Sequence, residues 1–584
     1  MPKYFSKIIS LLLILSSTMF SQADWKTEFE KSDFKATSTS EETDRFFTRL
    51  ATISDAVRYE TIGTSPQGRE IKVFIVSKDK AFTPEVAKKT GKPVLLILNG
   101  IHSGEIEGKD ASMLFLREML IEGKHKDVFE NVILLVIPIF SVDGHERSSA
   151  YNRINQNGPT NMGWRTTAQN INLNRDWMKA DAPEMRAMLG LFSTWMPDFM
   201  IDNHTTDGAD YQYTVTYGLE RHGNIAPNLA KLSEKVFLPF LIENVEAAGW
   251  LVAPYVYFKD NNVEKGMLDW ASTPRFSGGY TAAQNRISLL VETHMMKPYK
   301  DRVFATKSVL ETTAKFLVLN GKIIREENNK ADNNMKQFIG KGAKWLPIKF
   351  STKETAGSSI LFKGIEAVHE TSAVSGTEKI VYTGKKFEKE IPVFDNVIAS
   401  DSMEVPSGYI IPAEYSSLVS IMELHGIKVE KLEAPKKFLV ERLKFKDFTF
   451  AKTPYEGRFR VTSGYDVSKI KEVVPSGAFF VSCDQRALKV INLLLEPRSE
   501  DSFLSWGFFN QIFEMKEYFE DYVMEKVALE MLAANPALKK EFEEKIANDE
   551  KFRNDPDARL SFFYKKSPYF DKNYCVYPIL RVVE

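Results

Sequence analysis

Two stretches, 94–98 and 132–140, are apolar at consecutive positions. That pattern fits strands covered on both faces, as in the centre of a sheet flanked by helices. Between them Met113, Leu114, Leu116, Met119 and Leu120 recur at helical spacing. Strand, helix, strand at this spacing predicts a βαβ unit. Upstream, 24–50 is a polar lead-in of helix and loop, and Ser65-Pro66-Gln67-Gly68 is a turn signal between two strand patterns, so 59–76 predicts a hairpin. Downstream the pattern predicts a helix over 181–195, with Pro183 and Glu184 in its first turn. It then predicts a short strand at 199–201, a long helix over 224–248, a buried strand at 287–291 and a closing helix at 302–319. The fold class is therefore α/β.

The polar stretch 326–334, EENNKADNN, is the best boundary in the chain. It divides the protein into residues 24–325, a linker at 326–344 and an accessory α/β or α+β domain over 345–584. In that last part 345–400 is strand-like, 409–432 and 477–495 alternate strand and helix, and 505–555 is helix-rich. The block 496–523 mixes acids and aromatics at helical spacing and predicts a packed helix with a solvated face.

Composition changes this picture in a few respects. With 584 residues the chain exceeds one ordinary core, and 43% apolar with 27% charged residues makes it globular. A net charge of -1 gives no global field toward nucleic acid or an anionic surface. Residues 1–23 have the order of a signal peptide: Lys3 and Lys7, an apolar run at 8–15, then small residues with cleavage near 21–23. The run is too short to span a bilayer, so the mature protein is expected to be exported, secreted or periplasmic, and free of the membrane. Two cysteines, Cys483 and Cys575, exclude a disulfide framework; a single bridge and two buried thiols both remain open.

The candidate chemistry begins just after the first buried strand. His102 and Glu105 lie three residues apart in GIHSGE, at the sheet edge where ligands bind in open α/β sheets. Both are zinc-ligand types. The spacing alone does not separate a ligand pair from a chance pair, since His204 and Asp207 form a similar H-x-x-D. His204 itself follows a short apolar strand and could supply a third ligand, leaving a fourth position for water. Glu292, closing the run 289–291, suits a general base or else a rim ion pair with Arg286. His294 is a rival ligand or base two residues on.

These residues together resemble the zinc carboxypeptidase family typified by carboxypeptidase A, over roughly residues 61–319. The resemblance implies a mixed, largely parallel sheet covered by helices on both faces. It implies one zinc ion held by His102, Glu105 and His204, with Glu292 as general base. Arg165, in GWRT, matches the family's arginine that polarises the scissile carbonyl, and Asn174-Arg175, in NLNRDW, matches its clamp for the substrate carboxylate. A guanidinium forks onto a carboxylate as a lysine cannot. The family's mobile tyrosine has Tyr280 as its nearest counterpart. Asn172 stands where the family carries an acid behind the first zinc histidine. The implied activity is removal of C-terminal residues from a peptide substrate. Alternatives on the same site are hydrolysis of cell-wall peptides containing D-residues or diaminopimelate, or of acylated amino acids. A binding protein for peptide or glycan on this scaffold is the non-enzymatic alternative.

Overall fold

The computed structural model describes residues 25–340, 342 and 344–583. The segment 1–23, expected to be a signal peptide, lies outside them. The predicted hairpin forms from β1 (Val57–Thr64) and β2 (Glu70–Val76), preceded by α1 (Ser40–Ala51). Thr39 and Glu42 close a capping box on α1, each bonding the other's backbone N–H. Next come β3 (Val94–Asn99), α2 (Glu107–Leu120), β4 (Ile133–Ile137), α3 (Pro183–Trp195) and β5 (Phe199–Thr206). All residues of β3, β4 and β5 are buried, as the apolar runs of β3 and β4 require; in β5 the burial extends past Ile201 over the polar residues 202–206. β6 (Val215–Leu219), α4 (Pro227–Leu232), α5 (Leu238–Ala247), β7 (Val252–Pro254), β8 (Met267–Leu268), α6 (Ser277–Ala283) and β9 (Ile287–His294) follow. A π-helical turn at Ser233–Phe237 joins α4 to α5, so the long helix expected over 224–248 is present with one irregular turn.

Eight strands form the first sheet in the order β1-β2-β4-β3-β5-β9-β6-β7. Its centre is parallel: β3 pairs with β4 and β5, and β5 with β9. β2 joins β4, and β6 joins β9, in antiparallel fashion. The sheet is mixed, as expected.

The closing helix α7 (Tyr299–Lys336) runs much further than the expected 302–319. It passes through the polar stretch that looks like a linker. The reason is that its buried face there is polar: Asn328 donates to the backbone oxygen of Asp198 at 3.1 Å, and Asp332 accepts from Arg286 at 3.0 Å. Polar residues at helical spacing, held by buried hydrogen bonds, carry no apolar signal.

Beyond it lie β10 (Trp345–Thr352), β11 (Ser358–Thr371), β12 (Glu378–Phe394), β13 (Val397–Glu404), β14 (Gly408–Ile411), α8 (Ser416–Leu424), β15 (Glu430–Lys431), β16 (Lys436–Phe450), β17 (Val461–Val474), β18 (Phe479–Ser482) and α9 (Leu488–Leu495). Three helices, α10 (Asp521–Ala534), α11 (Pro536–Asn548) and α12 (Pro556–Lys566), precede β19 (Leu580–Val582). The main sheet of this half has the order β15-β18-β14-β19-β16-β17, entirely antiparallel. The block 496–523 is not one helix. Most of 496–520 is turns, with Phe503, Leu504, Trp506 and Phe509 buried as anchors and Gly507 at φ +75. Cys483 and Cys575 are both buried free thiols.

The two halves share structure. β12 pairs with β8, Val393 opposite Met267. One apolar cluster contains Trp177, Met188 and Phe192 from the first half and Met422, Val481 and Leu488 from the second.

Candidate active site

The carboxyl ends of β3, β5 and β9 lie side by side at the centre of the first sheet, with Asn99 opposite Asn203 and His204 opposite Glu292. β3 ends at Asn99, and Gly100, with φ of +66, turns the chain sharply into the loop bearing His102 and Glu105. That loop feeds α2, which presses on the strand ends: a Cβ on Gly108 would stand 2.2 Å from Asn99 Oδ1.

His102 Nδ1 lies 3.3 Å, and His204 Nδ1 3.0 Å, from the same oxygen, Glu105 Oε2. The three ligand-type atoms all fall within 4.8 Å of one another, and all three residues are buried. The far side of each ring is also held. His102 Nε2 is 2.9 Å from Asn172 Oδ1, and His204 Nε2 is 3.0 Å from Asp202 Oδ2. An Nε2–H directed at those oxygens leaves each Nδ1 lone pair facing Glu105. Arg153 and Arg165 reach the other carboxylate oxygen, Glu105 Oε1, at 2.6 and 3.2 Å.

Burial brings the His102 imidazole down to about 4, with Glu105 pulling the other way. Glu105 is buried too, yet His102, His204 and Arg153 hold its carboxyl well below the usual range. Burial also opposes a charge on His204, but Asp202 and Glu105 outweigh it and raise its pKa well above the ordinary value. A cation bound between the two imidazoles and the carboxylate replaces that proton. Two neutral imidazoles and one carboxylate, with room for a further ligand, fit the donor set of a catalytic zinc.

Glu292 stands beside this cluster. Burial pushes its carboxyl up to about 8; His204 opposes the shift, while Glu105 and Asp202 add to it. Its Oε2 is buried without a hydrogen-bond partner. Cluster and Glu292 open into a cleft of about 300 Å³, whose walls include Arg165, Asn174, Arg175, Tyr255, Trp270 and Phe276.

Residues 44–214 match the model of the zinc carboxypeptidase family. That stretch carries the likeness to the family, whose metal is zinc. The chain is a metallocarboxypeptidase. Carboxypeptidase 2 of Trichophyton rubrum is 23% identical over 483 residues, covering 79% of this chain and 82% of that protein. Probable carboxypeptidase 2 of Arthroderma benhamiae is 22% identical over 476 residues, 78% of this chain and 83% of its own. These alignments are longer than the 336 residues up to the end of α7, so the likeness extends into the second half. Among solved structures, carboxypeptidase A from Helicoverpa armigera aligns at 16% identity over 56% of this chain and 87% of that one, with a TM-score of 0.37.

Of the other expected residues, Arg165, Asn174 and Arg175 all line the cleft of this metallocarboxypeptidase. Arg175 lies over the Phe276 ring at 4.1 Å and donates to Asn174 O at 2.7 Å. No carboxylate of the described residues pairs with its guanidinium. Asn174 accepts from the Ser277 N–H at 3.2 Å.

Tyr280 does not reach the cleft. It is fully buried on α6, its hydroxyl 3.0 Å from His425 Nδ1 and accepting from Gln284 at 2.8 Å. Its ring packs on Trp177 and Phe192. The second half supplies His425, so Tyr280 is a bolt between the halves. His294 is likewise no part of the cluster: its Nε2 bonds Ala209 O at 2.9 Å and its ring meets Tyr211. Arg286 pairs with Asp332 and leaves Glu292 free of it.

Three residues of the site escaped the sequence reading. Asp202 sits two positions before His204 on β5, hence on the same strand face, and that spacing could have found it. Tyr255 follows β7, a strand of three residues and too short to show a period; its ring meets Trp270 at the cleft wall. Arg153 comes from an irregular loop that carries no pattern signal.

Proposed function

We propose that this protein is an exported zinc metallocarboxypeptidase that hydrolyses C-terminal peptide bonds. His102, Glu105 and His204 hold the metal, Glu292 is the general base, and Arg165, Asn174 and Arg175 bind substrate. The observation that carries this is the buried His-Glu-His cluster beside Glu292, whose buried Oε2 lacks a hydrogen-bond partner, in a cleft that also holds Arg175, with which no carboxylate of the described residues pairs. Export rests on the order of basic, apolar and small residues at 1–23. Among the described residues no helix is long and apolar enough to cross a membrane.

Zinc in the cluster supplies Lewis acidity toward water and the scissile carbonyl. The protein's own groups do the rest. Arg175 forks onto the terminal carboxylate of the peptide, and Asn174 shares that contact. The Phe276 ring beneath the guanidinium fixes its plane. Arg165 turns toward the oxygen that gains charge as the carbonyl becomes tetrahedral. Glu292 accepts a proton from the attacking water and passes it to the leaving amine.

The Glu292→Gln variant tests the reading. Release of C-terminal residues from a peptide library, followed by mass spectrometry, should fall by about 10²–10⁴-fold, while zinc stays at one ion per chain. Undiminished release would remove Glu292 from the mechanism. The same library, run beside muropeptides, distinguishes ordinary peptides from cell-wall substrates.

A further inference from the structure

A second cavity, of about 730 Å³, lies between the two halves, with walls from α4, the end of α7, β10 and α9. It is larger than the catalytic cleft and touches it only through the segment around Arg221 and Ser272, which line both. Much of its wall is apolar: Ile225, Ala226, Phe338, Leu346, Phe350 and Leu493. Its volume is within the range of small-molecule sites.

The charges in that wall do not balance. Every acid in it already has a partner: Glu234 pairs with Lys235 at 2.8 Å, and Glu500 and Asp501 pair with Arg275 at 3.4 and 2.8 Å. Arg221 and His222 both pair with Asp269, at 2.5 and 3.0 Å. Three lysines remain, Lys231, Lys349 and Lys489, and no carboxylate of the described residues pairs with any of them. Lys489 is half-buried in that wall, and its ammonium donates to the backbone oxygen of Asn224 at 3.1 Å. Burial alone lowers its pKa to about 8; no neighbouring charge contributes.

A confined ammonium without a counter-charge is costly. An anion in the cavity relieves that cost, and an apolar body covers the rest of the wall. We propose that this cavity binds a small organic anion with an apolar body, its carboxylate or phosphate head placed at Lys489 and flanked by Lys231 and Lys349. The site is separate from the metal cluster and stands whether or not the peptidase reading holds.

Isothermal titration of the full zinc-loaded chain tests it, with hexanoate and hexyl phosphate as probes and hexan-1-ol and hexylammonium as controls. A carboxylate probe can also meet Arg175, so all titrations use an Arg175→Ala background. At least one anion should bind tenfold or more tightly than hexan-1-ol, with hexylammonium not binding; which anion wins tells carboxylate from phosphate. Lys489→Met and, separately, Lys349→Met should each weaken that binding at least tenfold. Lys489→Met removes a confined amine and should not lower the melting temperature; if it fails to fold, Lys349→Met alone decides. No anion binding in this background, or affinity unchanged in the lysine variants, overturns the proposal.

Discussion

The histidines of the site differ in what stands behind them. His102 leans on an amide, Asn172, and His204 on a carboxylate, Asp202, which also accepts from Ser277 Oγ at 2.6 Å. A carboxylate behind a ligand imidazole raises its basicity and fixes its tautomer. On the proposed ligand set, Asp202 is therefore the stronger positioning group. Asp202→Asn should weaken zinc binding by about 10–100-fold, measured by competition with a chelator of known affinity. Asn172→Asp should tighten it in the same assay. Equal affinities in both variants and the native protein would sink this assignment. Part of this contrast is legible in the sequence, where Asn172 already stands out. Asp202 is legible from its two-residue spacing to His204 once the strand at 199–201 is extended through His204, as β5 in fact runs to Thr206.

The helices α2 and α7, which cover one face of the first sheet, are tied together by a charged cluster. His125 Nε2 sits 3.3 Å from Glu118 and 3.2 Å from Glu311. These three residues could hold a metal by geometry. Lys307, however, already places its ammonium 2.9 and 2.6 Å from the two carboxylates. The cluster is thus an internal ion network. Hydrogen bonds from His125 to Glu118, then to Glu311, raise its pKa to about 9 from an ordinary 6.5. A raised folded-state pKa means this stabilisation is complete below pH 6.5 and is lost as pH rises through 9. Discounted for its partial exposure, the contribution is about 1–2 kcal/mol. Urea unfolding of the native protein and of His125→Gln at pH 6 and pH 10 should therefore differ by that amount at the lower pH and converge at the higher. A constant difference across the range would exclude the linkage. The same pair of helices shows why element ends are hard to read. Past residue 319, α7 keeps its helical period through Ile324, Asn328, Ala331 and Asp332, whose burial is partly polar.

At the scale of the whole molecule, the second half closes one face of the first. Arg458 forks onto Asp181 at 2.8 and 2.6 Å, Arg486 donates to Gln284 Oε1 at 2.7 Å, and Tyr280 meets His425. The shared apolar cluster joins α3 to α8 and α9. Each large side chain uncovered there costs about 1.5–3 kcal/mol, so a handful exceeds the roughly 5–15 kcal/mol stability of a typical protein. A chain ending at residue 344 should therefore aggregate, and gel filtration would show no monomer. A soluble, active monomer of that length would mean the halves are independent. The sequence by itself determined the buried strands, the βαβ order and the candidate residues flanking the strand ends, because unbroken apolar runs and their breaks are local facts. Only the tertiary structure decided which groups face one another. It joined Glu105 to a histidine 99 positions away, set Asp202 behind that histidine, and sent Tyr280 into the seam between the halves. Periodicity reports that a side chain is buried; it carries no information about the neighbour it is buried against.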